Sequence, residues 1–470
     1  MAAAVPTTQR AKLGRAMLIG LAVLLTLSGC SSLPTIVPDL ARKPARALPL
    51  VGAGGPLSAA RTRDVLQRVA SSGVATGIFE RHLALEEAIT GTPLTVGNEV
   101  TLLQDGPATY EAMFAAIDAA RDHINMETYI LDDDEIGRRF ADALIAKQRS
   151  GVQVNLIHDS AGTFGTPQAF FQRLAASGIA VLEFNPINPL AARREWELNL
   201  RDHRKLLIVD GRTAFLGGIN ISSVYSGGSF GRTAQPRPDG ALAWRDTDLQ
   251  LRGPVVAEFQ RLFLATWQAQ HGQALAERAY FPAPQQPGRQ VVRAIGSSPD
   301  EPFSAIYATL LSAIGSAETS VHITNAYFAP DPQLLAALES AAARGVDVRL
   351  ILPSRTDSWL VFHAGRSYYD RLLRAGVRIF ERRGVILHSK TALIDGVWAT
   401  VGSTNLDWRS FLHNQELNAV VLGADFGRQV QAMFDRDLAQ SDELTLQRWR
   451  QRPLDDRAKE AFARLWEYWL

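Results

Sequence analysis

Apolar residues along the 470-residue chain fall into alternating runs of helical and strand period, and the same order of runs occurs twice. A helix-periodic run at 110–120 corresponds to one at 306–317. Each precedes a strand, 124–130 or 321–328, with Tyr129 and Tyr327 in like positions. A second helix then ends at Gly151-Val152 or Gly345-Val346, an apolar strand covers 154–157 or 348–352, and a third helix ends at Gly178-Ile179 or Gly376-Val377. Strand alternating with helix predicts α/β layers with right-handed crossovers, so each half reads as a mixed sheet between helices. Ahead of the repeat, Leu57, Val65, Leu66 and Val69 predict an amphipathic helix packed on the core, which Phe79, Leu83 and Leu85 continue beyond Gly73 and Gly77. The halves differ in their inserts: 185–200, with Pro186, Pro189 and Trp196, and the Gly/Pro-rich 226–240 are expected on the surface, where such loops frame sites. Pro282, Pro284 and Pro287 mark the crossing from one half to the other.

Each half carries one copy of a chemical pattern. His203-Arg204-Lys205 with Asp210 is matched by His388-Ser389-Lys390 with Asp395, both spaced His-x-Lys-x-x-x-x-Asp. Gly217 to Asn220 and Gly402 to Asn405 follow at the same offset. One such match arises by chance in about a few per cent of chains this long, whereas two with matching tails do not. Side chains two apart on a strand share a face, so His203 lies with Lys205 and His388 with Lys390. Asp210-Gly211 and Asp395-Gly396, each between apolar runs, predict hairpins whose returning strands bring Asn220 and Asn405 beside the histidines.

The twin motif resembles the phospholipase D superfamily, and the run from Gly402 through Asn405, Leu406, Asp407, Trp408 and Arg409 to Ser410 is most similar to its bacterial cardiolipin synthase branch. The stretches 323–331 and 344–348 match as well, and the similarity covers about Gly91 to the C-terminus. The resemblance implies two tandem phospholipase D-like α/β/α sandwich domains related by a pseudo-two-fold, with one shared site. It implies a catalytic set of His203, Lys205, Asp210, His388, Lys390 and Asp395, with Asn220, Ser403 and Asn405 on the substrate phosphate. The first copy has Gly218 where the second has Ser403, a departure that suggests a missing phosphate-contacting hydroxyl on that side. Asp246 and Glu416 each stand seven residues before a glycine, Gly253 and Gly423, and in the family such an acid orients a motif histidine. Asp210 and Asp395 sit where a turn favours Asp anyway, so ordering the turn is the other role open to them.

The chemistry of a phosphodiester explains the residue types. The anion repels nucleophiles, so a catalyst must neutralise it, attack phosphorus and protonate the departing oxygen. Lysines and the Asn and Ser groups supply donors where charge develops. One histidine must start neutral to attack and the other protonated to release the alcohol. By resemblance, His203 is the nucleophile and His388 the acid and base. The scheme needs no cofactor and no metal. His82, His123, His158, His271, His322, His363 and His413 are scattered and read as structural or surface residues. Asp407 and Arg409 are expected to pair or to orient the loop of Asn405. Trp466, Tyr468 and Trp469 are expected to seal the edge of the core, a membrane interface being the other use of such aromatics.

At the N-terminus, Arg10, Lys12 and Arg15 precede the apolar run 17–27 and then Leu27-Ser28-Gly29-Cys30, a signal-peptide pattern too short to span a bilayer comfortably. The last four residues resemble the bacterial lipobox, which makes Cys30 the lipidated first residue of the mature chain. Cys30 is the single cysteine, so disulfides within the mature chain are excluded. The expected organisation is a signal peptide at 1–29, a linker at 30–56, and domains at 57–285 and 286–470. Ser31 resembles a sorting signal for the outer membrane, facing the periplasm. Net charge is +1 for the whole chain and about −2 without the signal peptide, which speaks against tight nucleic-acid binding. The expected activity is a phosphatidyltransferase joining two phosphatidylglycerols, working as a monomer on phospholipid in a membrane. Phospholipase D hydrolysis, a nuclease of the superfamily and a non-catalytic lipid-binding lipoprotein are the alternatives.

Overall fold

The computed structural model describes residues 50–71, 77–188, 197, 199–229 and 242–470. Cys30, the signal peptide and most of the linker lie outside the described residues. Among the described residues, no helix is long and apolar enough to cross a membrane.

In the first half the elements are β1 (Leu94–Gln104), α1 (Asp105–Ala119), β2 (His123–Thr128), α2 (Glu135–Arg149), β3 (Gln153–Asp159), α3 (Gln168–Ala176), β4 (Ala180–Phe184), β5 (Leu206–Val209), β6 (Thr213–Gly217), β7 (Thr247–Arg252) and α4 (Val256–Ala269). The second half repeats them as β8 (Gln290–Ser297), α5 (Ala305–Ser316), β9 (Ser320–Asn325), α6 (Pro332–Ala343), β10 (Asp347–Pro353), α7 (Trp359–Arg366), β11 (Arg378–Arg382), β12 (Lys390–Ile394), β13 (Trp398–Gly402) and β14 (Asn414–Leu422). It closes with α8 (Ala424–Ala439) and α9 (Leu454–Arg464). Helix starts are set locally: Asp134 accepts from the Gly137 N–H at 2.9 Å, and Asp331 accepts from Gln333 and Leu334 at 3.0 and 3.1 Å with Pro332 at the first helical position.

Strand pairing makes the two-fold explicit. The first half runs β4-β3-β2-β5-β6-β7-β1 and the second β11-β10-β9-β12-β13-β14-β8. In each, the three strands joined by helical crossovers are parallel, and the first strand of the hairpin pairs antiparallel with the nearest of them. The sheets merge where β1 and β8 pair antiparallel. A joint core grows there: Leu249, Phe259 and Phe263 of the first half share one apolar cluster with Val401, Leu417 and Phe426 of the second.

Three expectations change. The linker read as running to Pro56 ends earlier, because Leu50–Gly52 and Gly55–Pro56 form a small antiparallel pair and Leu50 aligns with Leu94 of β1. Leu50 is buried, so its backbone must pair. Next, helices Ile78–Arg81 and Leu83–Thr90, placed by order in the first domain, pack on the second half: His82 Nδ1 is 2.8 Å from Ser312 Oγ, and Glu86 is 3.5 Å from the buried Arg293. Finally, the strands read at 124–130 and 321–328 stop at Thr128 and Asn325, because Tyr129 and Tyr327 leave the ladder to line a cavity.

Candidate active site

The two hairpins place the motif residues at opposite ends of short strands. At the turn, Asp210 and Gly211 have φ of 53° and 61°, and Asp395 and Gly396 have 50° and 67°. Arg212 N–H bonds Val209 C=O and Val397 N–H bonds Ile394 C=O, which closes each turn with two left-handed residues, the geometry that suits strand twist and that Asp-Gly adopts readily. Asp210 accepts from the N–H groups of Arg121, Asp122 and His123, and Asp395 from those of Glu318, Thr319 and Ser320. Both carboxylates thus fasten the hairpin to the start of β2 or β9, away from the histidines. Ordering the turn, the other role open to both acids, is the one these contacts fit.

At the other end the histidines are approached by crossed pairing. Arg201–Asp202 pairs parallel with Asn414-Gln415, and Trp244–Arg245 pairs parallel with Ile386–Leu387. His203 N–H then bonds Gln415 C=O at 3.0 Å, and His388 N–H bonds Arg245 C=O at 2.7 Å. The side chains follow the same rule: His203 Nδ1 is 3.0 Å from Glu416, and His388 Nδ1 is 2.6 Å from Asp246. Each half therefore supplies the acid that orients the other half's imidazole. Lys205 and Lys390 donate Nζ–H to the carbonyls of His203 and His388, with Nζ 5.1 Å from the ring centre of Tyr129 and 6.0 Å from that of Tyr327. Buried arginines hold the halves at this seam: Arg204 reaches the Glu416 and Ser297 carbonyls at 3.1 Å, and Arg245 pairs with Asp437 at 2.9 Å.

Ser403 has a different place from the one expected. Its hydroxyl donates to Glu416 and accepts from the Leu417 N–H at 3.0 Å, so it braces the acid. At Gly218 an added Cβ would come within 2.2 Å of Asp246 Oδ1, so glycine is there to admit the shorter acid. The departure between the two copies thus goes with Asp on one side and Glu on the other. Asn220 is buried and committed: it accepts from the Ile130 N–H at 3.0 Å and donates to Tyr225 Oη at 3.0 Å, and that hydroxyl lies 3.3 Å from His388 Nδ1. Asn405, its counterpart, keeps a buried Oδ1 without a hydrogen-bond partner among the described residues. Arg409 does not pair with Asp407; it reaches Asn199 at 2.9 Å, while Asp407 caps the short helix Trp408–Leu412 through the Ser410 N–H.

His203, His388, Asn220 and Asn405 line one cavity of about 340 Å³. Tyr129, Tyr327 and Trp244 form its aromatic walls, and Asp357, Asn414 and Trp469-Leu470 are among the other residues that line it. Asp357, Asn414, Tyr225 and the two arginines were not singled out from sequence. No motif marks them, although Asn414 sits two residues from Glu416 on a strand and so shares its face. Burial and the lysine charge lower both imidazoles: His203 to about 4, and His388 well below the usual range through burial and Lys390. Burial also lowers Lys205 to about 7 and Lys390 to about 8. The two acids diverge. Burial pushes Asp246 up to about 6 despite Lys390, whereas for Glu416 the effect of burial is outweighed by His203, Lys205 and Ser403, which bring it down to about 2.

Paired imidazoles, each backed by a carboxylate from across a pseudo-two-fold, define a phospholipase D-type fold with its site at the seam between the halves. The family described as "Cardiolipin synthase, PLD-like domain" matches residues 113–225 and 310–438. The chain is 34% identical to the cardiolipin synthase of Geobacillus kaustophilus over 82% of its own length and 74% of that protein's. It is 35% identical to cardiolipin synthase 2 of Bacillus anthracis over 81% of this chain and 72% of that one. In fold it is similar to a phosphatidylserine synthase of Haemophilus influenzae, with a TM-score of 0.57 and 14% identity over 79% of this chain and 95% of that one. The chain belongs to the PLD-like cardiolipin synthase family.

Proposed function

We propose that this protein is a phosphatidyltransferase that makes cardiolipin from two phosphatidylglycerols and releases glycerol. The observation that carries the mechanism is the crossed pairing of the two imidazoles, His203 with Glu416 at 3.0 Å and His388 with Asp246 at 2.6 Å. Glu416 stays ionised and accepts the Nδ1 proton of His203, which leaves the Nε2 lone pair free to attack phosphorus. Asp246, with its higher proton affinity, shares a proton with His388, the arrangement of a group that donates and takes back protons. His203 attacks the phosphodiester while His388, protonated as the anionic phosphate enters beside it, gives that proton to the departing glycerol oxygen, and a phosphatidyl-histidine forms. His388 then removes the proton from the hydroxyl of a second phosphatidylglycerol, which attacks phosphorus and frees His203. Lys205, Lys390 and the amide of Asn405 stabilise the charge on the phosphoryl oxygens. Asn220, already committed within the protein, supports His388 through Tyr225.

The chain acts as a monomer, its two halves standing in for a dimer, and without nucleic acid. A lipid on Cys30 would tether it to the outer membrane on the periplasmic side, each buried methylene adding about 0.8 kcal/mol. Incubation with phosphatidylglycerol followed by mass spectrometry of the lipids tests the activity, with His203→Ala and His388→Ala as controls. Cardiolipin and glycerol are expected from the wild type and neither from the variants. Phosphatidic acid without cardiolipin would make the protein a hydrolase instead.

A further inference from the structure

Among the described residues, most of the large apolar side chains left in solvent lie on or beside the C-terminal segment, Phe281 and Phe164 being the others. Phe462 is 52% exposed, Leu465 79%, Trp466 41% and Trp469 56%, all on α9 or the tail behind it, and Trp359 at the start of α7 is 47% exposed. The expectation that this tail seals the core is therefore met by only part of it. Ala463 packs on Val361 and Ala364 of α7, while Glu460 and Glu467 turn inward to Arg452 and Tyr368. The remaining face of α9 and the tail points its apolar groups outward beside Trp359, whose ring centre lies 6.4 Å from that of Phe462.

This surface is anchored and continuous with the catalytic cavity. Arg409 N–H bonds the Leu470 carbonyl at 2.7 Å, and Trp469, Leu470, Ser358 and Val361 all line the cavity. The pseudo-two-fold adds a counterpart: Phe164, 79% exposed, stands in the loop between β3 and α3, which corresponds to the loop between β10 and α7 that leads to Trp359. Both loops leave the same end of their sheets, the end that carries the histidines. Contiguous exposed aromatics of this kind mark an interaction surface, and Trp in particular suits the level of lipid headgroups. Asp455 and Asp456 pair with Lys459, and Arg464 stands among the apolar groups, so the face meets an anionic headgroup layer with its acids already engaged.

We propose that α9 and its tail, with Trp359 and Phe164, form the surface that seats the cavity mouth on a bilayer containing phosphatidylglycerol. The inference rests on the phospholipid substrate proposed above. A seated mouth lets the headgroup reach the histidines while the acyl chains stay in the membrane, so the lipid need not be extracted whole.

The test uses the full chain carrying Cys30→Ala and, on that background, the variant Trp359→Ser/Phe462→Ser/Leu465→Ser. Turnover of a short-chain phosphatidylglycerol dissolved as monomers is expected to change by less than about twofold, whereas turnover in phosphatidylglycerol vesicles is expected to fall tenfold or more. Separately, Leu465→Cys on the same background, carrying a polarity-sensitive dye, is expected to shift to the blue when those vesicles are added. Unchanged vesicle turnover in the triple variant would overturn the proposal. So would a dye that is already blue-shifted without vesicles and does not respond to them, because a segment of this chain or a second copy would then cover the face. If the wild type turned over neither lipid, the activity reading would fail, and the dye would still report on the surface by itself.

Discussion

Glu416 Oε1 lies 3.0 Å from His203 Nδ1, although 213 residues separate them in the chain, and the pair spans the seam between the two halves. Its counterpart, Asp246 with His388, spans 142 residues in the opposite direction. Neither half holds a complete histidine–acid pair by itself, so the site exists only when the halves are docked. That dependence explains why so much buried apolar and arginine contact is spent on the seam.

Glu416→Gln keeps the size of the side chain but removes the charge that fixes His203 as its Nδ1–H form. We expect kcat to fall by roughly 10²–10⁴, the usual range for a disabled acid/base partnership. Combining Glu416→Gln with His203→Ala should cost no more than His203→Ala alone, because the acid acts through that histidine. Steady-state assays of the two single variants and the double variant check this, and additive losses would contradict the crossed pairing.

Asp395→Ala removes the acceptor for three backbone N–H groups at the start of β9. It should destabilise the fold by about 1–3 kcal/mol while the folded fraction keeps near-normal kcat. Urea unfolding alongside activity at low temperature separates the two effects. A large loss of kcat in fully folded protein would return Asp395 to the catalytic set.

Gly218→Ser would make the first motif read like the second, yet its Cβ would meet Asp246 Oδ1 at 2.2 Å. The acid would be displaced from His388, and activity should drop by tenfold or more with no compensating gain in substrate affinity. Measuring kcat and KM decides between this outcome and a restored phosphate contact, which would lower KM.

The pH profile of kcat/KM should be bell-shaped. As pH falls, His203 takes up a proton near 4 and can no longer attack phosphorus, which sets the acid limb. As pH rises, Lys205 and Lys390 lose their charge near 7 and 8, which removes neutralisation of the phosphodiester. Lys205→Arg keeps its charge at every accessible pH and should move the alkaline limb upward, whatever it does to the maximum rate. Initial rates across buffers of constant ionic strength test both limbs.

The sequence alone determined the doubled α/β order, the two hairpins with Asp-Gly turns, and the His, Lys and Asn of each motif. These rest on period and on turn chemistry, which act within a few residues. The direction of the acids did not follow: Asp246 and Glu416 could be named from spacing, but no local rule says which histidine each one meets. The family resemblance implies a phosphate contact for Ser403, and only the fold shows its hydroxyl held by Glu416. Likewise, helical period in 78–90 predicts burial without saying on which half, and aromatic content at the C-terminus does not say which side of α9 is covered. Such choices are made by how two sheets merge at β1 and β8, through contacts between residues hundreds of positions apart, and packing at that range leaves no periodic trace along the chain.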